Sequence, residues 1–265
     1  YAFSGTALQS VTIPDSVTSI SDAAFQSCRN LQSVTIPDSV TSIANYTFID
    51  CTSLQNVTIP DSVKSIGKQA FRDCFKLQSV TIPEGVTSIG DSAFIRCLSI
   101  KTLVLRSTIF NGVADILSKY FPSSRLTLKD LTLGSAIVTI GTTAFKSCSS
   151  LQSVTIGDSV TSIGPGAFQG CSSLQSVTIP DSVTSIGSHA FEHCSALRSV
   201  TIPDSVTSIG IYAFSGSALQ SVTIPDGVTS IGQYVFSSCS ALQSVTIPDS
   251  VTSIGRSAFQ SCSAL

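Results

Sequence analysis

The chain has 265 residues, 42% of them hydrophobic and 11% charged, with fourteen Lys+Arg against sixteen Asp+Glu. Disordered chains are charge-rich and apolar-poor, so this one folds; the net charge of −2 also lacks the basic excess that phosphate binding needs, and no nucleic-acid partner is expected. No apolar run approaches the roughly 20 residues that span a bilayer and the start does not resemble a signal peptide, so no membrane insertion is expected of this segment.

The first whole repeat begins at Leu8, and everything else follows from it. The string LQSVTIPDSVTSIGxxAFxxCSA returns with a period of 23 residues, starting at Leu8, Leu31, Leu54, Leu77, Ile100, Leu128, Leu151, Leu174, Leu197, Leu219 and Leu242, and Leu265 opens another. A fixed period of this length marks a stack of units too small to fold alone, so residues 1–265 are expected to form a single solenoid of eleven repeats. Two repeats depart in length: the one from Ile100 has 28 residues and the one from Leu197 has 22. The chain starts with Tyr1, holds no Met and opens and closes partway through a repeat, which reads as a piece of a longer array.

Within each repeat the elements come in a set order. LxxVxIP places apolar residues at positions 1, 4 and 6, and its β-branched content predicts a short strand ended by proline, which cannot donate to a ladder. Stacked repeats then share a parallel sheet, with neighbours roughly 4.8 Å apart and eleven spanning on the order of 50 Å. Pro-Asp-Ser follows as a turn, Val-Thr-Ser-Ile-Gly as a second extended piece, and the Gly is expected to allow a sharp change of direction. AFxxC predicts one helical turn. Its phenylalanines form a spine through Phe25, Phe48, Phe71, Phe94, Phe145, Phe168, Phe191, Phe214, Phe236 and Phe259, with Phe3 in the repeat cut at the start.

The repeat from Ile100 breaks the pattern. It keeps a strand over residues 100–105 but lacks the Pro, the acidic residue, the AF pair and the Cys, which predicts an interruption of the spine. Val113, Ile116, Leu117, Tyr120 and Phe121 fall at helical spacing after Asn111-Gly112, so a short amphipathic helix is expected within 100–127, ending before Pro122.

The unit resembles the BspA-like, Treponema-type leucine-rich repeat, which combines an LxxIxLP strand, a VxxIG segment and an AFxxC turn. The fold this resemblance implies is a β-rich leucine-rich-repeat solenoid, a right-handed stack of about eleven 23-residue units with a parallel sheet and short helical turns. It also implies an extracellular or cell-surface protein with roles in adhesion, extracellular-matrix binding or aggregation. Fold analogy alone carries that functional expectation.

No residue is assigned a catalytic, cofactor-binding or metal role. Cys28, Cys51, Cys74, Cys97, Cys148, Cys171, Cys194, Cys239 and Cys262 all sit at position 21 and are expected to stack as small buried hydrophobes beside the spine. His189-Ala190-Phe191-Glu192-His193 matches the HxxEH string of inverzincin metallopeptidases, but Ala190 and Phe191 are the repeat's own AF pair and no third ligand or long helix accompanies them. Asp15, Asp38, Asp61, Glu84, Asp158, Asp181, Asp204, Asp226 and Asp249 make an acidic column at position 8, where an Asp after Pro is expected to close the turn by bonding nearby backbone N–H groups.

Candidate partner-binding residues lie in two places. Positions 2, 3 and 5 of the strand are nearly always Gln, Ser and Thr, and alternation points them away from the core, as in Gln32, Ser33 and Thr35. Eleven of the fourteen basic residues lie between Lys64 and Lys146, and from the irregular repeat and its surroundings Lys101, Arg106, Lys119, Tyr120, Arg125 and Lys129 are candidates for an acidic protein or glycan. Sequence variation concentrates elsewhere, at positions 15, 16, 19 and 20 beside AF, where Tyr46, Lys68, Arg72, His189, Tyr212 and Tyr234 sit. The sequons at Asn45 and Asn56 fit a secreted eukaryotic protein only weakly. A non-enzymatic binding or adhesion module is thus expected first. A self-assembling scaffold that associates through its repeat ends comes second, and an ice-binding surface of Ser-x-Thr rows third.

Overall fold

The computed structural model describes residues 1–265. Every repeat except those from Leu8 and Ile100 makes two short parallel strands, one at positions 3–5 such as Ser33–Thr35 and one at positions 12–13 such as Ser42–Ile43; the repeat from Leu8 has its first strand and a single bridge at Ile20, and the repeat from Ile100 has one strand. Each strand pairs in register with the same strand of the neighbouring repeat: Ser10, Val11 and Thr12 lie opposite Ser33, Val34 and Thr35, and Ser42 and Ile43 opposite Ser65 and Ile66. The fold is therefore a leucine-rich-repeat β-solenoid, as the period requires.

The backbone falls into two compact units, 1–109 with 117–128, and 110–116 with 129–265, so the division runs through the irregular repeat. In the first unit Phe3, Phe25, Phe48, Phe71 and Phe94 stack with centroids 5.1–5.3 Å apart. In the second the stack runs through Phe145, Phe168, Phe191, Phe214, Phe236 and Phe259 at 5.4–5.7 Å. These are offset stacks in the range that aromatic pairs prefer. The interruption expected at the irregular repeat does not occur in the first unit, because Phe121 takes the vacant place and stacks on Phe94 at 4.9 Å. The reason is local: the α-helix is only Ile116–Tyr120, and the chain leaves it with Phe121 fully buried. Val113 lies outside that helix, and a 3₁₀ turn over Thr108–Phe110 precedes it.

The AFxxC segment is not a helical turn. Positions 16 and 20 take the left-handed conformation in every regular repeat, with Tyr46 at φ 59° and Asp50 at φ 62° as one instance. This exposes alternate N–H groups to the next rung: those of Ala23, Phe25 and Ser27 donate to the carbonyls of Asn45, Thr47 and Ile49 at 2.8–2.9 Å. A third ladder thus replaces the local helix, and its inter-rung bonds offset the left-handed strain that a non-glycine residue carries.

The recurrent polar residues are ladder members too. Ser39, Ser62, Ser182 and Ser205 donate to the carbonyl of the valine in the preceding repeat, and Thr87, Thr161 and Thr184 to the carbonyl at their own position in the preceding repeat. The Pro-Asp-Ser-Val turn is closed by backbone, with Val40 N–H donating to Pro37 O at 3.0 Å, and Asp38 is exposed; the carboxylate closure expected from the sequence is not what holds it. The Gly that ends the second strand also has a different role from the one expected. It has no left-handed φ; instead a Cβ on Gly187 would stand 2.6 Å from Pro165 N and 2.7 Å from Gly164 C, backbone of the preceding rung.

Candidate functional site

Gln32, Ser33 and Thr35 are all exposed while Val34 between them is buried, so the strand face carries the outward array that alternation predicts. In the first compact unit this face holds a shallow depression of about 710 Å³, lined by Thr35, Asp38, Thr58, Asp61, Thr81 and Arg106 among others. The sequon residue Asn56 lies on this face, exposed and accepting a bond from Ser79 Oγ at 3.4 Å. Asn45 instead faces its neighbour, its Oδ1 accepting from Lys68 N–H at 2.9 Å, and the third residue of that sequon, Thr47, is fully buried with its hydroxyl donating to Ala44 O.

Within the first unit, the basic candidates meet different neighbours. Lys101 and Arg106 stand at opposite ends of the strand Thr102–Leu105: Lys101 lines a cavity of about 240 Å³ with Lys76, Gln78 and Leu98, whereas Arg106 lines the strand-face depression. Lys119 lies over the Tyr120 ring at 5.0 Å, and Arg125 donates to Ser118 Oγ at 2.9 Å. Lys129 is exposed in the second compact unit. Arg72 and Arg96 are committed to Asp73, and Arg96 also covers the Phe75 ring at 5.2 Å.

In the sequence the turn-side aromatics stand singly; in the fold they form a row. His189, Tyr212 and Tyr234 occupy position 16 of three successive repeats and stack face to face, His189 on Tyr212 at 5.0 Å and Tyr212 on Tyr234 at 4.6 Å. An aromatic at one repeat position three times running was the available signal. The same arrangement disposes of the HxxEH string. His189 and His193 both have left-handed φ, so the segment is a ribbon rather than the helix such a zinc site needs. Glu192, almost fully buried, takes His189 Nδ1 at 2.9 Å and a bond from Gln169 Nε2, which fixes it as a structural anchor of the ribbon.

The nine cysteines are free thiols, all but Cys262 buried. Cys28, Cys51, Cys74, Cys97, Cys171, Cys194, Cys239 and Cys262 each reach back to the spine phenylalanine of the preceding repeat, as Cys51 Sγ does to Phe25 O at 3.1 Å and Cys194 Sγ to Phe168 O at 3.3 Å. Burial pushes the Cys51 thiol from its ordinary 9.0 up to about 12, with the neighbouring Cys28 adding to it, and burial pushes Cys194 to about 12 as well. A folded-state pKa raised above the unfolded one gives stability that is complete below about pH 9 and is lost as pH climbs from there toward 12. Each such thiol is expected to lower unfolding free energy by about 1 kcal/mol per pH unit in that window. Urea midpoints from pH 8 to pH 11 check this: the decline should be shallower in a Cys51→Ala, Cys194→Ala variant, and equal slopes would remove the thiols as the cause.

These features define a leucine-rich-repeat solenoid whose stack is held by a phenylalanine spine, three backbone ladders and a column of thiols. The chain belongs to the BspA-type leucine-rich repeat family: residues 1–123, 114–220 and 161–265 match the BspA type leucine rich repeat region (6 copies). Among solved structures it is similar to the T. pallidum leucine rich repeat protein, at 27% identity over 71% of this chain and 77% of that one, with a TM-score of 0.55. It is also similar to a leucine-rich repeat protein from Bacteroides ovatus, at 28% identity over 100% of this chain and 80% of that one, with a TM-score of 0.49. A leucine rich cell surface protein from Faecalibacterium prausnitzii is 28% identical over 97% of this chain and 80% of its own, with a TM-score of 0.37. No curated protein matches the chain. No helix is long and apolar enough to cross a membrane.

Proposed function

We propose that this chain is a non-enzymatic binding module of a cell-surface or secreted protein, and that its strand face recognises a protein ligand, with extracellular-matrix proteins the first class to test. The observation that carries this reading is a contrast between two exposed faces. Ser at position 9, Thr at 11 and Cys at 21 repeat because each fills a structural ladder. Gln, Ser and Thr at positions 2, 3 and 5 repeat as strictly, yet Gln32, Ser33 and Thr35 project into solvent, where packing makes no such demand. The turn face, equally exposed, varies from repeat to repeat. A polar strand face, charged only at a few positions such as Lys101, Lys129, Asp130 and Arg198, offers a long surface of repeated hydroxyls and amides, the kind of extended platform solenoids use for binding. Membership of the BspA-type leucine-rich repeat family fits the same reading, since stacked repeats offer extended surfaces suited to binding.

The test is binding of the purified chain to a panel of immobilised matrix proteins, with Ser33→Lys, Thr35→Lys and Thr58→Lys combined against a turn-face variant carrying Gln69→Lys and Ser92→Lys. At least a tenfold loss of affinity is expected for the strand-face variant at unchanged melting temperature, and none for the turn-face variant. Equal losses, or no binding by the parent chain, would overturn the proposal. Scattering mass that grows with concentration in place of ligand binding would favour a self-assembling scaffold.

A further inference from the structure

The aromatic row on the turn face stops one ring short. His189, Tyr212 and Tyr234 stack through three rungs, but the rung before His189 carries Gly166 at the same repeat position, with no side chain to continue the row. The outer side of the His189 ring therefore borders a shallow, open depression of about 190 Å³, lined by Thr143, Pro165, Gly166, Gln169 and Ser188 together with His189 itself. The His189 side chain keeps 38% of its surface exposed. Its plane is held from two sides, by Tyr212 stacked within 11° of parallel and by Glu192 Oε2 at 2.9 Å from Nδ1.

Polar groups around the gap are set as well. Gln169 donates through Nε2 to the nearly buried Glu192, and this turns its Oε1 toward the space above Gly166, 3.6 Å from where a Cβ would stand. The methyl of Thr143 faces the same space, 3.2 Å from that point. The depression thus has one ring face, one methyl and one proline as apolar walls, and a fixed carboxamide oxygen with the Ser188 backbone region at its rim.

We propose that this gap is a pyranose subsite, in which a neutral sugar ring lies flat on His189 as the next member of the row. A pyranose has a face of axial C–H groups that suits the electron-rich face of an aromatic ring, and equatorial hydroxyls at its edge that donate to an amide oxygen such as Gln169 Oε1. A phenylalanine in the same gap brings no donor to Gln169 Oε1 and a tyrosine brings a single hydroxyl at the far end of its ring, whereas a pyranose carries hydroxyls around its whole edge, so the rim favours the sugar. The site is on the turn face and is independent of protein recognition by the strand face, so each reading can fail without the other.

The full chain titrated with methyl β-glucopyranoside, methyl β-galactopyranoside and N-acetylglucosamine, each to millimolar concentration, tests this by the imidazole proton shifts of His189 and by saturation transfer to the sugar. At least one sugar is expected to move the His189 signals. Gly166→Tyr extends the row, and Tyr212 and Tyr234 show that the fold holds tyrosine in the left-handed backbone at this position; it should abolish the shift while the chain stays folded, at a cost of a few degrees in melting temperature from the positive φ of Gly166. Ser257→Tyr, at the far end of the row, should leave binding intact. If Gly166→Tyr does not fold, His189→Ala replaces it, and loss of saturation transfer is the expected result. No His189 shift with any of the three sugars, a shift that survives Gly166→Tyr, or a shift produced by a tyrosine-containing peptide and not by sugar would each overturn the assignment.

Discussion

Phe71→Ala is expected to lower the stability of the first compact unit by about 3–5 kcal/mol, the range for emptying a large aromatic site in a packed core. Phe71 is fully buried, and its ring is held between Phe48 at 5.3 Å and Phe94 at 5.1 Å. Truncation therefore removes stacking on both sides at once and leaves a cavity that neighbouring rungs cannot close, because their own backbone ladders fix the spacing. In a stack whose stability is a sum of rung and interface terms, two interfaces weaken together. Urea unfolding followed by far-ultraviolet circular dichroism checks the size of the effect. Phe75→Ala is the control: its ring is half-buried under Arg96, off the spine, and its loss should cost about 1 kcal/mol or less. Equal midpoints for the two variants would show that the spine does not carry the stack.

Gly187→Ala and Gly232→Ala are expected to act in opposite directions, although both glycines occupy position 14 of their repeats. At Gly187 the added Cβ meets backbone atoms of the preceding rung at 2.6–2.7 Å, and backbone cannot rotate aside. Such overpacking costs about 1–3 kcal/mol. At Gly232 the nearest atom is Val235 Cγ2 at 3.4 Å, an ordinary contact with a side chain, because the preceding repeat is the one of 22 residues and its approach differs. There alanine only narrows the unfolded ensemble, worth about 0.4–1 kcal/mol in favour of the fold. Thermal midpoints of the two single variants measure the contrast, and a parallel loss at both positions would remove close rung approach as the explanation for the glycine.

What could be read in advance follows from whether a residue's role depends on its own repeat or on the neighbouring one. Leu31, Val34, Ile36, Val40 and Ile43 are core because their alternation and spacing say so, and they are buried. The period places equivalent residues beside each other, which is why the Phe and Cys columns were legible. Positive φ at His189 and His193 was not, since the left-handed backbone is supported by carbonyls of the next rung and leaves no mark in the residue type, which ranges from Gly to Tyr. Phe121 is hidden for a related reason: the repeat from Ile100 lacks an AF pair, so counting along the chain cannot show that a residue four places later than the usual position folds back onto Phe94. On the candidate site, the exposed strand-face array was legible from alternation, whereas the His189–Tyr212–Tyr234 row required the rungs to be stacked before its rings met.

The sameness of the rungs has an evolutionary meaning. Each repeat offers its neighbour the same upper and lower surfaces: a leucine, two valines, a phenylalanine ring and the carbonyl that receives a thiol, as Cys74 and Phe48 or Cys97 and Phe71 do. Removing or duplicating one 23-residue module between such rungs rejoins surfaces of the same chemistry, so recombination within the gene can lengthen or shorten the array without redesigning a core. Reach, rather than shape, is then the property most open to change in this protein, while the repeats that break the pattern mark places where an exchange would no longer be silent.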